Sequence, residues 1–371
     1  MVITEKSYFK EITSKPLGRI KAMDTARGIA TWLLMPAHFS HWYLTIFPNP
    51  SWMQYLFRSI LGTAFQYVFV TLPGMAVTLQ LYIGRKRGID ENQLRISIIK
   101  RGVILIIIQF ICNFFSYQPF FTWNWFILSF IGFSIIISYF FSGFSRRSRI
   151  IFIIIIIILS PVLKYIFFNF YIWKAFLSNA WSIEIFLNKM CLEVNFPIFP
   201  YIALPVFGTL FAEKMIKAVE NENQMKFIKN SLIIGGILIL VYIFTLNFDY
   251  ILNFPHIAFY SLPTRQEVLY SFGVIMVVIA LLFWIQDFKG KNWKIFKPFE
   301  IYGAISLTVF VTHFYLFPPI LELLYDPLQN LSEYSVFQIC SFFWAIYWIY
   351  GILWRRYQRK YSLEWVLRRL T

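Results

Sequence analysis

Residues Ile150–Leu159 read IIFIIIIIIL. An unbroken apolar row of this kind is neither the alternation of a half-buried strand nor the one-sided stripe of a soluble helix. It is the pattern of a helix with apolar surroundings on every side. The whole chain has the same character. Of 371 residues, 58% are hydrophobic and only 14% are charged, against about 45–50% and 25% in ordinary soluble domains. A soluble fold of this length has too little interior to hide that much apolar surface, so lipid is the expected solvent. A bilayer core needs about 20 apolar residues per helix. Membrane barrels, the other spanning solution, alternate with period two, which the continuous runs here do not.

The reading is therefore all-α: a polytopic bundle of about ten transmembrane helices, forming one domain over residues 1–371. The spans fall at 27–47, 57–83, 99–116, 123–142, 149–168, 196–213, 230–248, 267–286, 299–318 and 334–354. Pro197, Pro200 and Pro205 predict a broken or kinked sixth span, since proline removes a helical donor and clashes with the preceding turn. Loops on one side of these spans, with both terminal segments, hold 29 of the 34 Lys and Arg. Cytoplasmic loops carry such an excess, so both termini are expected in the cytoplasm of a multi-pass plasma-membrane protein. The first residues are polar and lack a cleavage site, so the first helix is expected to stay as an anchor. The net charge of +16 is accounted for by this asymmetry, and no nucleic-acid partner is expected.

Ionisable groups within spans are costly and usually functional. His38 and His41 share one face of the first span, and His313 lies in the outer half of the ninth. Pro36 frees the carbonyl of Trp32 and bends the helix near the two histidines. Imidazole suits general base work near neutral pH, although a structural histidine makes the same pattern. A metal is not expected, because zinc wants three or four ligands and no carboxylate stands at helical spacing beside His38 or His41. Cys112, Cys191 and Cys340 lack ligand spacing and read as small buried hydrophobes.

At the inner edge of the first span stand Arg19, Lys21, Asp24 and Arg27, with Asp24 and Arg27 spaced to pair. They serve as topology determinants. With Arg85, Arg101 and Lys297 they would also form a cationic mouth for a phosphorylated ligand. Segments 169–195 and 249–266 are aromatic-rich outer loops. They offer Glu184, Glu193, Asp249, His256 and Arg265 to an acceptor. Phosphate-binding Gly-Lys loops, His-Glu-x-x-His and Gly-x-Ser-x-Gly are all missing, which argues against ATP hydrolysis, zinc proteolysis and serine-hydrolase chemistry.

Arg19-Ile-Lys-Ala-Met-Asp24-Thr-Ala-Arg27-Gly28-Ile-Ala, followed by Met35-Pro-Ala-His38, resembles the first helix of the heparan-alpha-glucosaminide N-acetyltransferase-like transmembrane acyltransferases, whose superfamily includes the YeiB-like membrane proteins. Similar stretches follow in the family's order: FVTLPGMAVTL (Phe69–Leu79), WFILSFIGFS (Trp125–Ser134), FPIFPYIALPVFG (Phe196–Gly208), YGAISLTVFVTH (Tyr302–His313) and YSLEWVLRR (Tyr361–Arg369). The resemblance implies acyl transfer across the membrane, from cytoplasmic acetyl-CoA or another acyl-CoA to an extracytoplasmic glycan or lipid-linked acceptor. It implies that Arg19, Asp24, Arg27 and Arg101 hold the donor and that His38, with His313 and His41, works at the transfer point. The histidine serves as general base or transient acyl carrier. Asn49 stands where the animal lysosomal members place a histidine, so His38 or His41 would take that role. A homodimer is left open. The rival class is a proton-coupled transporter or flippase, which would use the same intramembrane histidines and the kinked sixth span.

Overall fold

The computed structural model describes residues 20–44, 52–54, 56–57, 61, 63–115, 124–177, 183–192, 196–245, 265–324 and 331–371. Among these residues every regular element is helical. The elements are α1 (Lys21–Tyr43), α2 (Thr63–Lys86), α3 (Glu91–Phe114), α4 (Ile127–Ser142), α5 (Arg146–Leu177), α6 (Ile183–Cys191), α7 (Ile198–Tyr201), α8 (Ala203–Glu220), α9 (Gln224–Thr245) and α10 (Arg265–Leu282). After them come α11 (Phe296–Ala304), α12 (Ser306–Val311), α13 (Phe317–Leu324), α14 (Glu333–Arg356) and α15 (Leu363–Leu370). Wide π-helical turns extend α10 through Phe283–Phe288 and α12 through Thr312–Leu316.

Among the described residues, each of the ten stretches expected to span overlaps a helix or a broken helix, but fewer than ten have the length and hydropathy of a crossing. Four are long and apolar enough to cross a bilayer as single rods: Ala64–Lys86, Gln224–Thr245, Glu267–Phe288 and Glu333–Arg356. A fifth is the pair α11 and α12 with its extension, bent by 75°. The others differ from these rods in composition or length. α1 carries Lys21, Asp24, Arg27 and two histidines, α3 carries four charges in its first half, and α4 has only 16 residues.

The bundle is apolar outside and mixed inside, as lipid rather than water would select. On α5, Ile151, Ile154, Ile155 and Ile158 are exposed, as are Ile233, Leu240 and Phe244 on α9. Buried instead are Gln109, Asn113, Thr71, Thr209 and His313. With no hydrophobic force between helices in lipid, close backbone approach has to hold them. Glycine pairs provide it at four crossings: Gly28 with Gly303 between α1 and α11, Gly74 with Gly208 between α2 and α8, Gly102 with Gly132 between α3 and α4, and Gly235 with Gly273 between α9 and α10. At the first of these a Cβ on Gly28 would lie 1.7 Å from the Phe299 carbonyl oxygen, and one on Gly303 would lie 2.1 Å from that of Asp24.

The sixth span breaks where its prolines stand. Phe199 leaves helical geometry within α7, with a cis bond to Pro200. The ninth span, expected as one helix, is broken at Ile305 with no proline there. The carboxylate of Glu364 on α15 takes the amides that the break exposes. It accepts from Leu307 N at 2.6 Å, Thr308 N at 3.0 Å and the Thr308 hydroxyl at 2.7 Å. A helix start needs such acceptors, and here the tail supplies them.

Candidate active site

α1 brings His38 and the α12 extension brings His313 to the same point. His38 Nδ1 and His313 Nε2 are 2.9 Å apart. His313 is fully buried, whereas His38 is half-buried and keeps accessible surface. Pro36 shapes the approach. The Trp32 carbonyl that it frees accepts a hydrogen bond from the Trp344 indole at 3.1 Å, and the two indoles stack at 4.1 Å. Trp42 stacks on the His38 ring at 5.1 Å and Phe314 meets it edge-on at 5.5 Å.

Hydrogen bonding fixes the protons of the neutral pair. His313 Nδ1 lies 2.8 Å from the Val309 carbonyl oxygen, which can only accept, so Nδ1 carries the proton. His313 Nε2 is then an acceptor and takes the Nδ1 proton of His38. That leaves His38 Nε2 with its lone pair, ready to receive a proton. Both Val309 and His313 belong to the segment that Glu364 caps, and the π turn holding His313 is a feature common at functional sites. Thr312 adds a hydrogen bond of 2.7 Å to the Tyr347 hydroxyl on α14.

His41 lies one turn beyond His38 on α1 and is half-buried; the direct contact is between His38 and His313. At the other end of α1, Asp24 and Arg27 pair at 3.6 Å. Arg101 on α3 donates to Gln80 at 3.3 Å and lies within electrostatic reach of Arg27, so these two cations are brought together. Arg85 is spent on Glu91, with contacts of 3.0 and 2.8 Å. That hydrogen bond holds the Glu91 carboxyl below its usual range. Arg19, Asn49, Glu193, Asp249 and His256 lie outside the described residues, as do the side chains of Glu184 and Arg265. Among the described residues no three His, Cys, Asp or Glu side chains gather as a metal site would need.

Three groups around the site were not singled out from sequence. Glu364 is one. Asp287 is another: its carboxylate accepts from the amides of Lys21 and Ala22, both at 2.9 Å, and so caps α1. The third is a buried polar network in which Gln109 donates to Asn113 at 2.7 Å and to the Tyr315 hydroxyl at 2.5 Å, two residues from His313. Their common signal is a polar residue in an apolar helix or tail. Its partner is far along the chain, so spacing does not reveal it.

Residues 19–246 match the family described as heparan-alpha-glucosaminide N-acetyltransferase, catalytic. The chain belongs to this family. It is a member of a transmembrane acetyltransferase family, as its first-helix motif implied. Residues 214–371 also match a family described as a protein of unknown function, DUF418, the YeiB-like side of the resemblance. His38 falls in the acetyltransferase match and His313 in the second, so the imidazole pair joins the two. No curated protein matches the chain. The family's glycines have a structural meaning here: Gly28, Gly74, Gly132, Gly208 and Gly303 of the quoted motifs are all crossing glycines. The motif histidines are the ones that meet.

Proposed function

We propose that this acetyltransferase-family chain moves an acyl group, acetyl in the simplest case, from cytoplasmic acyl-CoA to a hydroxyl or amine of an extracytoplasmic glycan or lipid-linked acceptor. The observation that carries this reading is the hydrogen-bonded pair His38–His313, which leaves Nε2 of His38 unprotonated when both rings are neutral. As the acceptor attacks the thioester carbonyl, its proton passes to His38 Nε2. The new C–O or C–N bond forms and the C–S bond breaks. The imidazolium then returns its proton to the departing CoA thiolate, giving CoA and acylated acceptor. His313 acts as a positioning residue, accepting from His38 Nδ1–H throughout and favouring the imidazolium.

Arg27 and Arg101 offer the charge that the diphosphate of CoA requires, and Arg19 completes the motif in the donor-side reading. From Arg27 to His38 α1 advances roughly 16 Å at about 1.5 Å per residue. The pantetheine arm would bridge that interval. This reading sets both termini in the cytoplasm and the histidines toward the outer leaflet, in keeping with the distribution of Lys and Arg. An apolar bundle around the thioester limits its hydrolysis.

The test is consumption of labelled acetyl-CoA by the purified chain in detergent, offered soluble glycans and lipid-linked sugars as acceptors. Label transferred to an acceptor, or thioester cleaved at a rate that tracks the protein, agrees with the proposal. A transporter has no gradient to work on in detergent and would leave acetyl-CoA intact, which would refute it.

A further inference from the structure

α5 and α9 both pack on α8 and leave a groove of about 460 Å³ between them. It lies apart from the imidazole pair and its lining includes none of the residues assigned to transfer. One end is cationic, with Arg146, Lys214, Lys217 and Lys226 in its lining. Lys217 is paired with Glu213 at 2.7 Å, a carboxylate that also serves Arg149. Arg146, Lys214 and Lys226 have no carboxylate partner among the described residues, and Arg146 and Lys214 are close enough to repel one another. Asn223 and Asn230 add amide donors at the same end. The other end is apolar, walled by Ile150, Ile154 and Ile234 and floored by Phe207 and Met276. The three isoleucines are exposed, on faces that the bundle turns to lipid.

Uncompensated like charges held beside a slot for hydrocarbon call for a ligand that is an anion at one end and a chain at the other. Basic pockets between membrane helices on the cytoplasmic side hold anionic lipid headgroups. We propose that this groove binds an anionic phospholipid of the inner leaflet, with its phosphate among Arg146, Lys214 and Lys226 and an acyl chain between Ile154 and Ile234. A free phosphate would use only the cationic end.

Native mass spectrometry of the detergent-solubilised full chain with phosphatidylglycerol or phosphatidylcholine tests this. Phosphatidylglycerol adducts should exceed phosphatidylcholine adducts several-fold. The preference should vanish in Lys214→Gln/Lys226→Gln and survive in the remote pair Lys289→Gln/Lys291→Gln. Millimolar inorganic phosphate should leave it in place, and Ile234→Trp, which fills the slot, should lower adducts of phosphatidylglycerol. Equal retention of the two lipids, a preference that survives the Lys214/Lys226 changes, or full displacement by phosphate would overturn the proposal.

Discussion

The sixth and ninth spans are both broken, and they are broken by different means. Within α7, ahead of α8, the cause is local: prolines on either side of Phe199 cannot continue a helix, and the chain turns there whatever lies around it. Between α11 and α12 the local sequence, Tyr302–Ser306, contains no proline. That break persists because Glu364, 57 residues further on, accepts the amide of Leu307. A proline break belongs to the segment, whereas a capped break belongs to the tertiary fold and lasts only while its cap remains. The second kind carries His313. The position of one member of the imidazole pair therefore depends on the C-terminal tail.

The contrast can be broken most sharply at the cap. Glu364→Ala leaves the amides of Leu307 and Thr308 without their acceptor. At about 1–3 kcal/mol for each buried unsatisfied group, a loss of several kcal/mol of stability is expected, with turnover falling alongside it. Glu364→Gln keeps an acceptor and should restore much of both. Thermal unfolding and acetyl-transfer rates read the two effects. An α12 that is indifferent to Glu364→Ala would show the break to be local after all.

The proline-broken helix has a remote tie of its own further along. Arg149 is buried on α5 and is held by Thr209 and Glu213 of α8. Glu213→Ala strands that guanidinium and should cost about 3–5 kcal/mol, while transfer by the surviving folded protein stays near normal. Turnover that falls in proportion to stability would contradict this separation. A smaller effect, about 1–3 kcal/mol, is expected of Gly303→Ala, whose Cβ meets the Asp24 carbonyl and forces α1 and α11 apart. Those two helices lead to His38 and His313, so the rate should fall more than stability does. Smallest is Pro205→Ala, in the first turn of α8, where proline is tolerated but not required. A change below about 1 kcal/mol with the break retained is expected, because Pro197 remains.

The same division explains what could be read from the sequence. The apolar run at Ile150–Leu159, the sixth-span break and the release of the Trp32 carbonyl by Pro36 follow from local chemistry, and each has its counterpart in the structure. A shared place of work for His38 and His313 is what the family resemblance implies. Its geometry was not readable, because the proton order depends on the Val309 carbonyl within a π turn. The caps from Asp287 and Glu364 join residues far apart in the chain, and no spacing rule reaches them. Among the described residues four helices meet the length and hydropathy of a straight span, fewer than the ten read from charge and apolar runs. Asp24, Arg27, His38 and His41 interrupt the apolar sequence of α1, and α4 has only 16 residues.

The central claim is that His38 Nε2 takes the acceptor's proton. Its most direct test is the single-turnover rate of acetyl transfer by His38→Ala at saturating acetyl-CoA, with donor binding measured in parallel. The account predicts a rate about 10²–10⁴-fold below the unaltered protein and unchanged acetyl-CoA affinity. A His38→Ala protein that transfers at the unaltered rate would contradict it.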